Sequence, residues 1–429
     1  MKSLRRVLFC VGVLGGLSLS VSLTEGADPP GLGPRGDLVS LEFEGGASTL
    51  TGQIARRQLL VTGTFSSGQR HDLTHDAAYS VDRPDLISIA ADGFVTPLAD
   101  GDVIITAKVP TGQTATTKLH VEQCAGELPI NFANEIVPVF TRLGCNAGGC
   151  HGKADGQNGF RLSLLGFYPE EDYDYLVHET RGRRIFPADP EFSLLLAKPA
   201  NMMAHGGGKR MSQGSYEWDL IVRWIRQGMP YGHETDPVIR GIEVVPPVRE
   251  MDFDTKQQLV VLGHYSDGSV RDVTRLASFE SNQSELAAVN TNGRVTLGRT
   301  PGEAAVMVRF QGQVAVFRAV IPQGVRVDQT PQEKTFVDPL VMKRLKQLGI
   351  PPGPVCDDST FLRRATVDIA GRLPTLEETK QFLSDQDPQK RDRLVDRLVD
   401  SSSYADYFAA KWSSVLRNKR RNGTDTVYT

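Results

Sequence analysis

The sequence predicts a multidomain chain in which two small all-β sandwiches flank an all-α segment, with a further α-helical segment behind them. Three observations carry this. Residues 58–74, QLLVTGTFSSGQRHDLT, recur as residues 258–274, QLVVLGHYSDGSVRDVT, at a constant offset of 200 residues. Between the copies, residues 124–236 differ in character and hold a two-cysteine loop, CNAGGCH, near a stretch of helical apolar spacing. From Phe336 onward the composition turns helical. A chain of 429 residues is also too long for one core.

Residues 1–27 have the anatomy of a signal peptide. Lys2, Arg5 and Arg6 form a positive start, residues 7–23 an apolar run, and Gly26 and Ala27 supply small residues for cleavage. An uncleaved anchor would need about 20 strongly apolar residues, and this run is shorter and diluted by Gly and Ser. The expectation is therefore an exported protein, periplasmic, cell-surface or secreted, with no stable membrane span. Cys10 leaves with the signal, so Cys124, Cys145, Cys150 and Cys356 meet an oxidising compartment. The net charge of −3 offers no basic field for phosphate backbones, so nucleic acid is not an expected partner.

The repeat continues beyond its first block. Leu86 pairs with Leu286, and Asp92-Gly93-Phe94-Val95-Thr96 with Asn292-Gly293-Arg294-Val295-Thr296. A long ungapped self-match indicates duplication. Leu59, Val61 and Phe65 fall at even spacing, as do Leu259, Val261 and Tyr265. Ser67-Gly68, Asp267-Gly268, Asp92-Gly93 and Asn292-Gly293 are hairpin signals. Short strands at this density fit a small sandwich. The pattern resembles the bacterial Ig-like group 2 domain, with one copy over 38–122 and the other over 240–322. Such domains are glycan- or protein-binding modules or spacers. Neither copy gathers carboxylates or aromatics into a ligand site, which favours the spacer.

Within 124–236, Asn134–Leu143 has apolar residues at 136, 139, 140 and 143, which is helical spacing. Ser215–Gln227 places Tyr216, Leu220, Trp224 and Ile225 on one face, and Gly228 and Pro230 stop it. The chain between is rich in Gly and Pro. Helix, cysteine loop, irregular middle and aromatic closing helix look like a small class I cytochrome c, whose core the cofactor largely fills. The insert is accordingly expected to fold alone.

Several chemistries compete for CNAGGCH. Zinc wants four closed ligands, and one cysteine pair with His151 falls short of that. A Cys145–Cys150 disulfide is feasible after export. Haem attachment needs two thiols and a histidine directly after the second; the usual spacing is two residues. Here the spacing is four, and Gly148 and Gly149 are the residues best able to bulge outward. For the far side of an iron, Lys198–Met211 offers Met202, Met203, His205 and Met211. His205, followed by three glycines, is the first choice and Met203 the alternative.

The blocks CHGKADGQNGFRLSLLG, FPADPEFSLLLAKP, AHGGGKRMS and YEWDLIVRWIRQGMPYG resemble the planctomycete-type cytochrome c domain over roughly 130–232. That resemblance implies one covalent haem c through Cys145 and Cys150, with His151 as proximal iron ligand. Where simpler members carry a Met-Pro-Pro distal motif, this chain has Met203-Ala204-His205.

Residues 336–429 read as a helical bundle. Val341, Leu345 and Leu348 share one face; Asp358 or Ser359 caps the next helix; Thr375 and Glu378 form a capping box. These stretches resemble the start of the DUF1549 domain, which often follows such cytochrome domains. The family domain is longer than what remains, so the chain reads as truncated. Arg363, Arg364 and Asp368 fit a solvated face better than a site, and no catalytic constellation emerges. The leading expectation is an exported c-type cytochrome-like protein exchanging electrons with an unknown redox partner or with the helical module. The competitor is a non-redox surface protein whose Ig-like domains bind glycan or protein and whose CNAGGCH is a disulfide loop. A third reading makes the remainder of the helical domain an enzyme fed by the haem.

Overall fold

In this computed structural model residues 31–418 are described, apart from 47, 326, 329 and 330. The signal-peptide reading of 1–27 lies outside them. Among the described residues no helix is long and apolar enough to cross a membrane. The chain forms two units, divided between Pro351 and Pro352.

The duplication is visible strand by strand. In the first copy Leu38–Phe43 pairs with Val61–Phe65, which pairs with Arg70–Asp72. Opposite them, Thr114–Glu122 runs parallel to Thr49–Thr51 and antiparallel to Gly101–Lys108, which also pairs with Ala78–Val81. A third small sheet joins Arg57–Gln58, Phe94–Pro97 and Ile87–Ile89. The second copy repeats all three sheets in the same order. Even the bulge recurs, between Leu38 and Ser40 in one copy and between Ile239 and Gly241 in the other.

Alternation explains the cores. Along Gly101–Lys108, Val103, Ile105 and Ala107 point inward while Asp102 and Ile104 point out. Along Gly302–Phe310 the inward set is Ala304, Val306, Val308 and Phe310. The shared Asp-x-Thr triplet closes each copy. Asp72 Oδ1 accepts from Thr74 N at 2.8 Å, and Thr74 Oγ1 accepts from Val61 N at 2.9 Å. Asp272, Thr274 and Val261 do the same at 2.9 and 2.8 Å.

The two copies that flank the insert in the sequence pack directly on one another. Asp72 Oδ2 accepts from Gln258 N at 2.6 Å, and Asp272 Oδ2 accepts from Gln58 N at 2.7 Å. Leu60, Val260 and Leu262 form a small apolar cluster of their own. Arg249 pairs with Glu44, and Arg275 with Asp92 at 2.7 Å. The arrangement is close to twofold, and it breaks at one informative place. Where the first copy has Asp92, the second has Asn292, whose Oδ1 accepts from Arg142 of the insert at 2.8 Å.

The insert is helical but built of short pieces. Its longest helix, Tyr216–Arg226, is capped by Ser215. The chain enters through a wide turn at Phe132–Ile136 and continues as Val137–Arg142. The segment has an ordinary side-chain core, with Phe132, Phe140, Trp218 and Trp224 buried together. Trp224 Nε1 donates to Pro230 O at 2.8 Å, which satisfies the indole. That core is completed by Ile54 of the first sandwich and Leu276 of the second. Arg142, paired with Glu217 at 2.8 Å and with Asn292 of the second sandwich, and the donation of Tyr216 Oη to Ile54 O (3.3 Å) hold the junction. The insert is embedded in its neighbours.

The helix Val337–Leu348 belongs to this first unit although it lies beyond the predicted boundary at 336, and the division between units falls after Pro351. Leu348 O accepts from Gln323 N at 2.8 Å, and Gln347 Nε2 donates to Glu250 at 2.7 Å. Among the described residues the second unit contains four helices, Asp358–Ala370, Leu376–Ser384, Lys390–Val399 and Ser402–Val415. Its small core is Leu362, Ala370, Phe382, Leu394 and Leu398. The Thr375–Glu378 capping box is present. The preceding helix is capped one residue earlier than expected, by Asp357, which accepts from Thr360 N at 2.7 Å.

Candidate functional site

The CNAGGCH loop follows Val137–Arg142 directly. Gly144 takes φ +73°, turning the chain so that Cys145 N donates to Phe140 O at 2.8 Å. The loop then doubles back, and His151 N donates to Cys145 O at 3.0 Å. Gly148 and Gly149 are exposed at its apex, as the outward bulge requires, although neither adopts a positive φ. The glycine the loop cannot replace is Gly152. A Cβ there would sit 2.0 Å from Asn146 O. Both cysteines are free thiols. Burial pushes the Cys145 thiol up to about 11, opposed by the nearby Arg210 guanidinium.

His151 is held from one side. Its Nδ1 is paired with Phe160 O at 2.9 Å. That carbonyl is presented by a tight turn in which Gly156, at φ +60°, lies against Phe160, while Gln157 and Phe160 form an isolated bridge. Arg184 stacks over the Phe160 ring at 4.6 Å and donates to Tyr175 O at 2.8 Å and to Gly159 O. Burial lowers the His151 pKa, with the Phe160 hydrogen bond opposing it.

His205 is held in the same manner from another segment, with Nδ1 paired to Gly208 O at 2.8 Å. Gly207 permits this, because a Cβ there would lie 2.9 Å from His205 Cε1. The glycines after His205 thus make room for its own ring. The rings of His151 and His205 come within 6.4 Å, centroid to centroid, and lie 10° from parallel. With each Nδ1 committed to a carbonyl, Nε2 is the nitrogen each ring has left to offer a ligand.

Met203 is 48% exposed, with its backbone N donating to Ala197 O at 3.3 Å; Met202 is also exposed, and Met211 is buried in the insert core. Among the described residues no group of three or more His, Cys, Asp or Glu stands together to hold a metal ion. A closed zinc site is therefore without its ligand set. What the site presents is two imidazole donors and two thiols on one loop. Sequence reasoning missed Gly152, which closes the loop on Asn146, and Gly156, Phe160 and Arg184, which position the carbonyl paired with His151.

Residues 336–428 match the family described as a protein of unknown function (DUF1549), PSCyt2. The C-terminal resemblance is thereby borne out. Ice-binding protein 1 of Shewanella frigidimarina (strain NCIMB 400) is 24% identical over 258 residues, 58% of this chain. The chain spans 25% of the length of that relative. Among solved structures, domains 5–6 of the S-layer protein SbsC are 12% identical, covering 66% of this chain and 97% of that one, with a TM-score of 0.26. Invasin, a bacterial integrin-binding protein, is 12% identical over 65% of this chain and 38% of its own, with a TM-score of 0.15.

Proposed function

We propose that residues 124–236 hold one covalent haem c and that the exported chain passes single electrons through it. Cys145 and Cys150 are the thioether partners, His151 the proximal ligand and His205 the distal one. The observation that carries this reading is the His151–His205 pair. Two imidazoles on opposite sides of one metal, with bonds of about 2 Å, have ring centres a little over 6 Å apart. The observed separation is 6.4 Å. A haem would be held here by Cys145 and Cys150 through thioether bonds and by His151 and His205 through Nε2, and would supply a one-electron centre.

The chain's own residues do the positioning. Phe160 O and Gly208 O each take the Nδ1 proton, so both rings are held as the tautomer with a basic Nε2. The haem supplies one-electron chemistry when bound. Arg210, close to Cys145, and Lys198, close to His151, set a positive field around the pair, which favours the reduced state of a bound redox centre.

The test is an absorbance spectrum of protein produced with a cytochrome c maturation system. Denatured protein should retain a pyridine haemochrome band, and Cys145→Ser with Cys150→Ser should remove it. A Cys145–Cys150 disulfide found by mass spectrometry in protein from that system would overturn the reading.

A further inference from the structure

A cleft of about 1350 Å3 opens between the insert and the second sandwich. No residue from Cys145 to His151 lines it, although Gly152, the next residue, and Leu162, whose N donates to His151 O at 2.8 Å, do. Its floor is closed where Gln311 Nε2 donates to Ala133 O and Asn134 Oδ1, both at 3.1 Å. One wall is the run Leu164-Leu165-Gly166-Phe167-Tyr168. These apolar side chains project into water, with Leu164 54%, Phe167 71% and Tyr168 53% exposed.

The run is exposed without being loose. Gly166, at φ +74°, is pressed against Val137, whose Cγ1 would lie 2.3 Å from an added Cβ. Leu165 N donates to Asn146 O at 3.1 Å, and Tyr168 N donates to Ser163 Oγ at 3.0 Å. Ser163 Oγ in turn donates to buried Asp172 at 2.7 Å. A braced loop that holds aromatic rings out of the core is a surface built for contact. The rings of Phe167 and Tyr168 stand 4.8 Å apart at 83°, so they offer faces in two directions.

The rest of the lining names the ligand chemistry. The cleft sets four carboxylates, Glu170, Glu171, Glu234 and Asp236, against three cations, Lys153, Arg161 and Arg309, so it has no surplus positive charge for a phosphate polymer. Carboxylates and side-chain amides beside exposed rings match a ligand with flat C–H faces and a hydroxyl rim. Its volume exceeds the roughly 300–1,000 Å3 of small-molecule sites. The geometry points to a neutral polysaccharide chain lying in this cleft, with Phe167 and Tyr168 against its sugar rings.

Affinity electrophoresis of the full chain in gels containing barley β-glucan, galactomannan or arabinoxylan tests this. Retardation is expected in at least one gel, with Phe167→Ala/Tyr168→Ala weakening it about tenfold or more, the loss of roughly one good aromatic contact. Both side chains are exposed, so the thermal unfolding midpoint should hold. Tyr168→Trp, which keeps a ring face, should preserve binding. No retardation in any of the three gels overturns the proposal, as does retardation that the double variant leaves intact. If the double variant changes only the rate of reduction by a protein electron donor, the cleft is a protein-docking face and the proposal falls.

Discussion

Asp72 in the first sandwich accepts a hydrogen bond from the backbone of Gln258 in the second, and Asp272 answers it from Gln58. Each carboxylate uses its other oxygen on its own Thr, so both of its oxygens face a backbone N–H. Asp72→Asn or Asp272→Asn puts an NH2 group against one of two buried N–H donors. Each is expected to lose about 1–3 kcal/mol of stability, read from urea unfolding. An unchanged midpoint in both variants would show that the two copies do not depend on this clasp.

Glu135 supplies a pH dependence with a definite sign. Burial pushes its carboxyl up to about 7, opposed by the hydrogen bond from Asn131 N and by Arg271. The folded chain thus holds this proton more tightly than the unfolded chain. The stabilisation is complete below the ordinary value of 4.5 and is lost as pH rises through about 7. Glu135→Gln keeps an oxygen acceptor for Asn131 N and cannot ionise. Its melting temperature should therefore gain on the wild type as pH rises from 4 to 8. Parallel melting curves for the two proteins would contradict this.

If the chain holds haem as proposed, the identity of its second protein ligand is open to spectroscopy. Methionine ligation leaves a weak absorption at the red end of an oxidised haem spectrum, and bis-histidine ligation lacks it. Haem-loaded protein should show no such band. His205→Ala should give a five-coordinate or water-ligated spectrum, while Met203→Ala should leave the spectrum as it was. The reverse pattern assigns the iron to Met203.

Expressed alone, residues 124–236 would lack Ile54 and Leu276 from their core and leave Arg142 without Asn292. Two partly buried apolar side chains amount to roughly 2–4 kcal/mol of burial, a large share of the ~5–15 kcal/mol that holds a whole domain together. The isolated segment should unfold without a cooperative transition in circular dichroism, whereas residues 31–351 should show one. A sharp transition in the short fragment would mean that the insert's own core suffices.

Much of the architecture was legible because duplication writes the same constraints twice. The Asp-x-Thr triplet and the Asp-Gly and Asn-Gly turns mark positions whose hydrogen bonds are local, and local chemistry is readable from a single stretch. What the sequence hid was contact between distant segments. Nothing about Asp72 announces that its second oxygen serves Gln258, because the partner is a backbone N–H, which every residue but proline carries. The histidines followed the same division. Cys145, Cys150 and His151 stand out by spacing, and His205 by its glycines, but the turn that brings Phe160 O to His151 depends on Gly156 and Arg184, which look like ordinary loop residues.

The clasp between the two copies also changes what the intervening hundred or so residues are in mechanical terms. Strand Thr114–Glu122 and strand Ile239–Val245, which deliver the chain into and out of the insert, belong to bodies already fastened to each other. The insert is thus an excursion from a closed base, and its ends stay near one another whatever happens along its path. A protease nick in its irregular middle, between Arg181 and Pro190, would leave two fragments that migrate together until denaturant separates them. Loops of the insert can lengthen or shorten over evolutionary time without freeing one sandwich from the other.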